Sequence, residues 1–472
     1  MIGRTNEASI LEDCLTSRKP EFLAVYGRRR VGKTFLIKEF FNNTFSFYAT
    51  GIKERNNRQK LKAFKEALKQ YGDKERTIPT DWFDAFSRLR KLLEKEDVIR
   101  EYKSGKRVVF LDELPWMDSA KSDFKSALDY FWNSWGSSQK DLLFIVCGSA
   151  TSWIIKNIVK STGGFYNRLT RQIRLMPFTL GECEKFLEAS GVQMTRKQIV
   201  ESYMIFGGIP YYLNYLSPKL SLTRNVEKLF FGENGPLRYE FTMLFESLFN
   251  NAGKYISVIK ELAKSNYGVT RNDLLNSGRT VSGKDLTKVL EELEQCGFIR
   301  KYNNYTKKEQ GCFFQLTDPL SLFYLTFLEN GKIDSWVDFT DSPNYYNWCG
   351  NAFERVCLLH INQIKKKLGI SGILSHEFAW RSSKTEPGAQ IDMLIDRKDD
   401  VINICEEKFS IEEYSIDKEY EQKLINKREA FRRETRTKKA LHMTMITFSG
   451  LKKNMYSGSV IHEITGDDLF DD

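Results

Sequence analysis

Apolar and polar positions recur with different periods along the chain, and the period separates predicted strands from predicted helices. Continuous apolar runs at 22–25, 108–111 and 142–147 are typical of strands buried on both faces of a parallel sheet. Stretches with a period near 3.6 lie between them, among them a basic amphipathic stretch at 58–71. The pattern therefore predicts an α/β domain in residues 1–178.

Helical periodicity dominates residues 179–249 and is interrupted at Phe206-Gly-Gly-Ile-Pro210, which predicts a helical lid with one turn inside it. Three helical stripes and two strand candidates come next, at 255–264, 270–275, 283–296, 298–302 and 312–317. Three helices and a hairpin are the parts of a winged helix. The third helix of this unit is rich in acidic residues, which would repel nucleic-acid phosphates. We therefore interpret the winged helix as a packing module.

The last part of the chain predicts a helix at 353–368 and a hairpin with strands at 390–396 and 401–408. Alternation with period two places Glu406 and Lys408 on one face of the second strand. Two registers remain open. A five-residue loop sets Asp392 opposite Glu406, whereas a four-residue loop sets it opposite Cys405.

Composition narrows the class of protein. With 41% hydrophobic and 28% charged residues among 472, the chain is expected to form several folded domains. Eight cysteines without a CxxC pair and only four histidines predict reduced thiols and no structural zinc. Because no apolar run approaches the length of a membrane span, we expect a cytoplasmic protein without a membrane partner.

Charge leaves two interpretations of equal weight. The formal net charge of +10 fits a nucleic-acid partner, and it also fits a basic solvated surface. The same choice applies to a basic helical pattern at 423–439, which could track a nucleic-acid backbone or simply face water. DNA or RNA is therefore a candidate partner that charge alone does not establish.

A glycine-bounded loop joins the first predicted strand to the next helix, and it consists of Gly27, Arg28, Arg29, Arg30, Val31, Gly32, Lys33 and Thr34. Backbone N–H groups at such a corner converge with the helix N-terminus on an anion. Lys33 would reach the β- and γ-phosphates of a nucleotide, and Thr34 would ligate Mg²⁺. The loop predicts a site for ATP and Mg²⁺.

Acidic and polar side chains follow the next two buried strands. Asp112 is placed to hold Mg²⁺ through water, and Glu113 is placed to polarise the water that attacks the γ-phosphate. The strand at 142–147 is expected to lie between the other two, which makes Ser149 the candidate γ-phosphate sensor. A glycine-opened loop at 163–171 offers an arginine finger, with Arg168 the first choice and Arg171 the second. Pairing of both arginines with surface acids is the alternative.

These motifs together carry a family resemblance. The opening Ile2-Gly3-Arg4, the loop GRRRVGKT, the strand VVFLDELPWM, the strand end CGSAT and the later FGGIPYYL resemble archaeal-type ATPases of the STAND branch of AAA-like P-loop proteins. The resemblance implies a P-loop ATPase followed by a winged helix and a nuclease-like domain. We accordingly predict an ATPase domain, a helical lid, a winged helix, a linker and a nuclease-like α/β domain, at 1–178, 179–250, 251–320, 321–349 and 350–472.

The spacing of Asp392, Glu406 and Lys408 resembles the PD-(D/E)xK motif of restriction-endonuclease-like domains. That resemblance implies that the two carboxylates hold Mg²⁺ against a scissile phosphate and that Lys408 orients or activates water. Glu354, on the preceding helix, matches the additional helical acid of that fold. An ordinary hairpin with an exposed Glu-Lys pair is the alternative.

Two functions from different classes follow. The first is an ATP-hydrolysing switch that acts on or near nucleic acid through a metal-dependent nuclease-like domain. The second is a signalling or scaffold ATPase whose last domain binds a partner without cleaving it. A protein partner, or self-association through the ATPase domain, is a further candidate interaction.

Overall fold

The structure is a computed structural model, and it describes residues 2–53, 56–119, 121–149, 151–160, 168–305, 312–329, 331, 333–340, 342–382 and 388–471. The chain forms two compact units, Met1–Pro177 and Phe178–Asp472.

The first unit is built on a five-stranded parallel sheet with the order β2-β3-β4-β1-β5. Its strands are β1 (Glu21–Tyr26), β2 (Phe47–Thr50), β3 (Arg107–Asp112), β4 (Leu142–Gly148) and β5 (Arg171–Arg174). Its helices are α1 (Thr5–Thr16), α2 (Lys33–Phe40), α3 (Asn57–Gln70), α4 (Trp82–Leu93), α5 (Phe124–Ser134) and α6 (Thr151–Ile154). The predicted parallel α/β fold is confirmed.

The strands follow from their sequences. Every residue of β1, β3 and β4 is buried, as continuous apolar runs predict for central strands of a parallel sheet. Strand β4 lies between β1 and β3, as the sequence predicted. Its position brings the carboxyl ends of three strands to one edge, where ligands of such sheets bind.

The second unit begins with helices α7 (Leu180–Ala189), α8 (Arg196–Phe206), α9 (Pro210–Leu213), α10 (Leu222–Val226) and α11 (Glu240–Leu248). Capping boxes led by Thr179 and Thr195 start α7 and α8. The glycine turn after α8 is required by a close approach, because a Cβ at Gly208 would lie 1.9 Å from the carbonyl oxygen of Phe178. This packing supports the turn as a structural feature of the helical segment.

The middle segment, residues 251–320, contains helices α12 (Ala252–Ala263), α13 (Arg271–Asn276) and α14 (Gly283–Gln295). Strands β6 (Val269–Thr270), β7 (Ile299–Tyr302) and β8 (Phe313–Leu316) form an antiparallel sheet with the order β6-β8-β7. Apolar faces of the helices and strands share one core, which includes Leu262, Leu290 and Phe298. The helices and the hairpin lie where the sequence predicted them, and the winged-helix assignment stays an interpretation.

Helices α15 (Pro319–Phe323) and α16 (Trp336–Phe339) lead to the terminal segment, residues 343–471. The terminal segment contains helices α17 (Pro343–Leu359), α18 (Ile361–Lys367) and α19 (Lys418–Thr435). Its strands are β9 (Ser375–Arg381), β10 (Gln390–Arg397), β11 (Val401–Lys408), β12 (Tyr414–Ser415), β13 (Ala440–Thr447), β14 (Leu451–Lys452) and β15 (His462–Thr465). Five of them form a mixed sheet with the order β15-β13-β11-β10-β9.

Three predicted boundaries differ from the structure. The boundary between 349 and 350 falls inside α17, which begins at Pro343 because the Ser342 hydroxyl oxygen caps it by accepting a hydrogen bond from Tyr345 N. The single helix predicted at 353–368 is two helices that meet at His360. The basic helix α19 begins at Lys418 and ends at Thr435, earlier at both ends than the pattern at 423–439 suggested.

Within the described residues, no helix is both long enough and apolar enough to span a bilayer.

Candidate nucleotide site and candidate metal centre

Two glycines in the loop between β1 and α2 are required, each for a different structural reason. A Cβ at Gly27 would lie 2.2 Å from the carbonyl oxygen of Leu175, so only glycine permits this approach. Gly32 precedes α2 with φ +91°, a left-handed conformation that favours glycine. Arg30 adopts a left-handed φ of 74° between them. The loop therefore has the backbone that a phosphate-binding corner needs.

Lys33 is the buried cation of this loop. It is 5% exposed, and its Nζ donates to the carbonyl oxygens of Gly27 at 3.0 Å and Arg28 at 2.8 Å. Val31, 1% exposed, anchors the opposite side of the loop, where its carbonyl oxygen accepts from Arg4 Nη2 at 3.3 Å. Lys33 is thus held across the loop, at the position where a phosphate would meet it.

Thr34 and Asp112 meet at the edge of the sheet. The Thr34 hydroxyl donates to Asp112 Oδ2 at 2.9 Å, although 78 positions separate them. A hydroxyl and a carboxylate oxygen are ligands that Mg²⁺ prefers. The residue types and their convergence fit the predicted Mg²⁺ position.

Glu113 is held in a specific orientation next to them. Its backbone has φ +47°, a strained value for a residue other than glycine. Its Oε2 accepts from Ser149 Oγ at 2.8 Å and from Ser149 N at 3.2 Å. The sequence predicted that these residues lie at one edge of the sheet. It did not predict that Ser149, the proposed sensor, would donate hydrogen bonds to Glu113, the proposed base.

Hairpin register decides the geometry of the second candidate site. Met393 pairs with Cys405 and Leu394 with Ile404 in the antiparallel β10–β11 ladder. The same register sets Asp392 opposite Glu406, which is one of the two arrangements that the sequence left open. Asp392 and Glu406 therefore belong to adjacent strands at the same level of the sheet.

Glu406 is surrounded by hydrogen-bond donors. It is 8% exposed; its Oε1 accepts from Tyr420 Oη at 2.6 Å, and its Oε2 accepts from Lys427 Nζ at 2.6 Å. Lys408 Nζ lies 3.1 Å from Glu406 Oε1. Although burial opposes ionisation, Lys427 and Lys408 hold the pKa of Glu406 below its ordinary value. Glu406 is thus a stabilised carboxylate.

Three other acids near Glu406 are driven toward the neutral form. Burial, reinforced by Asp392, raises the pKa of Glu354 to about 7. Burial is also the main cause that raises the pKa of Asp392, and of Glu407 on the other face of β11. We call Glu354, Asp392, Glu406, Glu407 and Lys408 the terminal cluster. Its close packing of acids is a feature of functional sites as well as of buried ion-pair networks.

The side chains of Glu354, Asp392 and Glu406, the predicted metal ligands of the terminal cluster, do not have an arrangement that could hold a metal ion. Across the described ranges of the chain, no three His, Cys, Asp or Glu side chains form a group that could hold an ion. The contacts of Glu406 with Tyr420 and Lys427 give a physical reason, because both carboxylate oxygens already accept from donors. The metal role of Glu354, Asp392 and Glu406 stays a prediction.

Comparison with known proteins decides the family. Residues 1–216 match a family described as an ATPase domain predominantly from Archaea. An uncharacterized ATP-binding protein of Methanocaldococcus jannaschii is 45% identical over 42 residues, which is 9% of this chain and 71% of that protein. The chain belongs to the archaeal-type P-loop ATPases. A second, uncharacterized protein of the same organism is 24% identical over 380 residues, covering 77% of this chain and 79% of that one.

Solved structures give looser similarities to this ATPase. A Walker-type ATPase of Pyrococcus abyssi superposes with a TM-score of 0.47 at 18% identity, covering 69% of this chain and 96% of its own. The ORC2 protein of Aeropyrum pernix, solved as ADPNP-ADP complexes, superposes with a TM-score of 0.45 at 15% identity, covering 70% and 94%. The family assignment rests on the sequence matches and not on these superpositions.

The finger prediction is the least supported part of the ATPase site. Residues 163–167 of the finger loop lie outside the described residues, while Arg168 and Arg171 are described and exposed. Arg171 begins β5. The choice between these arginines stays a prediction.

Sequence reasoning missed several residues that complete the two sites. Trp116 lies with its ring 5.6 Å from the Arg29 guanidinium, which places an aromatic side chain beside the phosphate-binding loop. Tyr420 and Lys427 contact Glu406 from α19. Their i, i+7 spacing on one helix face was a usable signal, but nothing in the sequence indicated which strand that face would meet.

Proposed function

We propose that this ATPase is a nucleotide-dependent switch of the STAND/AAA-like class, and that it acts on nucleic acid through a metal-dependent, nuclease-like terminal segment. The convergence of Lys33, Thr34, Asp112 and Glu113 at one sheet edge supports the hydrolytic part. The register that sets Asp392 opposite Glu406, with Lys408 beside them, is the observation that carries the nuclease-like part.

In the ATPase site, each residue has a role that its position supports. Lys33 neutralises phosphate charge, and the loop N–H groups bind the phosphate oxygens. Thr34 and Asp112 would hold Mg²⁺, which neutralises charge on the β- and γ-phosphates when bound. Glu113 accepts a proton from the attacking water, and Ser149 orients Glu113 through its hydroxyl and its N–H. Arg168 would stabilise charge that grows in the transition state.

In the terminal cluster, Asp392 and Glu406 would hold the divalent cation that activates a phosphodiester, and Glu354 would add a third oxygen ligand. Lys408 orients water through its ammonium group. Both oxygens of Glu406 accept from Tyr420 and Lys427, so holding a cation would require release of these donors, and the proposed switch acts at that release.

One observation favours a second function. The ion pairs of Glu406 with Lys408 and Lys427 stabilise the cluster without a metal, as expected for a binding module that cleaves nothing. In that case the protein is a signalling or scaffold ATPase, and the terminal segment binds a partner.

A cleavage panel discriminates the two functions. Single- and double-stranded DNA and RNA are incubated with the full-length protein, with and without Mg²⁺ or Mn²⁺ and with and without ATP. We expect metal-dependent cleavage that Lys408→Ala abolishes while ATP hydrolysis continues. Lys423→Ala is the matched control, because Lys423 pairs with Glu419 on the exposed surface of α19. Absence of cleavage under every condition leaves the binding-module function.

A further inference from the structure

The middle segment and the terminal segment are joined by backbone pairing. Beyond β7, Asn304 forms a parallel bridge with Ala379 of the edge strand β9, and Tyr305 N donates to Ala379 O at 3.3 Å. The Tyr305 ring packs 5.4 Å from the Phe378 ring and 5.1 Å from the Phe431 ring. The extension of β7 therefore covers part of the exposed edge of the terminal sheet.

A cleft of about 90 Å³ lies along this junction. At about 30 Å³ for each water, it has room for about three waters. Both segments contribute polar or aromatic side chains to its walls: Arg300, Tyr302 and Gln315 from the middle segment, and Trp380, Arg381 and Asp392 from the terminal segment. Asp392 thus belongs both to the terminal cluster and to this cleft.

Arg300 is oriented in the cleft before any ligand arrives. Its Nε donates to Gln315 Oε1 at 2.6 Å, and its guanidinium lies 4.5 Å from the centre of the Tyr302 ring. No described residue accepts a hydrogen bond from its two terminal nitrogens. Burial lowers the pKa of Arg300, and the charges of Tyr302 and Asp392 oppose that shift. Because a guanidinium stays protonated in proteins, this is a partly desolvated cation with donors to spare.

Two more observations indicate a ligand. Trp380 is 2% exposed, and its indole N–H has no acceptor among the described residues. A buried donor without an acceptor is unfavourable, and an acceptor atom of a ligand would satisfy it. Tyr267, a further wall residue, is 46% exposed and offers a ring on which an unpaired base can stack.

We propose that this cleft binds the phosphodiester backbone of a single nucleic-acid strand, with Arg300 as the residue that positions a phosphate next to Asp392. The proposal rests on the proposed function, because it assigns the route by which a strand reaches the terminal cluster. It gives the middle segment a nucleic-acid contact through its hairpin. The acidic helix α14, which argues against a conventional recognition helix, is not needed for that contact.

The test measures binding separately from cleavage. Fluorescein-labelled single-stranded DNA and RNA oligonucleotides are titrated with the full-length protein carrying Lys408→Ala, in Mg²⁺, and anisotropy is read at several salt concentrations. Arg300→Ala, added to this background, should weaken binding about tenfold to a hundredfold, as loss of a charge-assisted hydrogen bond predicts. It should also reduce the slope of log K against log salt by about one.

Two controls separate a phosphate contact from a structural role. Lys301→Ala removes a positive charge from the next residue of β7, which is exposed and points to the other face of the strand. It should leave affinity and salt slope close to those of the parent. Arg300→Lys keeps the charge and should restore most of the salt slope, whereas a purely structural arginine would not be rescued in this way. Thermal unfolding and ATP hydrolysis show whether each variant is folded.

The outcomes distinguish this proposal from the nuclease-like function. Binding that depends on Arg300, without cleavage in the panel, supports the cleft and removes the nuclease-like function. Cleavage together with affinity and salt slope that are unchanged in a folded Arg300→Ala variant overturns the cleft. Failure of the parent protein to bind either oligonucleotide overturns it as well, and so does an equal loss of binding in Lys301→Ala.

Discussion

The nucleotide site and the terminal cluster both combine a lysine with carboxylates at the end of a buried strand, but they stabilise their charges differently. Lys33 donates to two carbonyl oxygens, which phosphate oxygens can replace. Glu406 is held by Lys408, Lys427 and Tyr420, and these contacts have to be exchanged before a cation can bind. The first site is ready for its ligand, whereas the second is stable without one.

The proposed switch would use this difference between the two sites. A site that is satisfied by its own ion pairs needs an input of free energy, or a competing ligand, before it binds metal. In the proposed function, ATP hydrolysis and a bound phosphodiester would be the two inputs.

Lys33→Ala should have the largest effect, because it removes the cation that faces the phosphates. We expect ATP hydrolysis to fall to background and nucleotide affinity to fall about tenfold to a hundredfold, the range for a charge-assisted hydrogen bond. Titration with a fluorescent ATP analogue measures the affinity. Lys38→Ala, later on the same helix, is the control and should bind normally, since Lys38 lies over the Tyr48 ring. Equal loss in both variants would contradict the assignment of Lys33.

Glu113→Gln should preserve ATP binding and slow turnover about a hundredfold to ten-thousandfold, the range for loss of a general base. The carboxamide can still accept from Ser149 but cannot take the proton of water. Phosphate release at saturating ATP measures the effect. Undiminished hydrolysis would show that another group acts as the base.

Ser149→Ala should have a smaller effect, about tenfold on turnover, at the low end of the range for losing one hydrogen bond to a charged carboxylate. Ser149 N still donates to Glu113 in this variant, so part of the orientation survives. The rate is compared with that of the double variant Ser149→Ala/Glu113→Gln. If Ser149 acts by orienting Glu113, the two effects will not add; additive effects would contradict that role.

Glu354→Gln should change stability and not ATP hydrolysis. A glutamate with a pKa near 7 in the folded protein, and near 4.5 when unfolded, loses stability as pH rises from 4.5 to 7. The unfolded state has then released a proton that the folded state still binds. The glutamine variant does not pay this cost, so it should unfold a few degrees higher than wild type at pH 8 in EDTA, with no such gain at pH 4. An equal difference at both pH values would refute the shifted pKa.

Some features of the two sites were predictable from the sequence and others were not. Gly27 to Thr34 are contiguous, so the loop and its role were predicted without any tertiary contact. Placement of Asp392 opposite Glu406 depended on which of two registers forms, and only the structure selects it, through the pairing of Met393 with Cys405. The contacts of Tyr420 and Lys427 with Glu406, and of Tyr305 with Ala379, join elements far apart in sequence. Such contacts depend on how finished elements pack, which the periodicity of one element does not encode.

The proposed control of cleavage by the nucleotide can be measured in a single time course. Cleavage of a labelled oligonucleotide is followed with Mg²⁺ and ATP for the wild-type protein, Glu113→Gln and Lys408→Ala. We expect cleavage by wild type, none by Lys408→Ala, and an altered rate in Glu113→Gln, which is expected to bind ATP without turning it over. Product formation that is the same in all three proteins, or absent from all three, would contradict it.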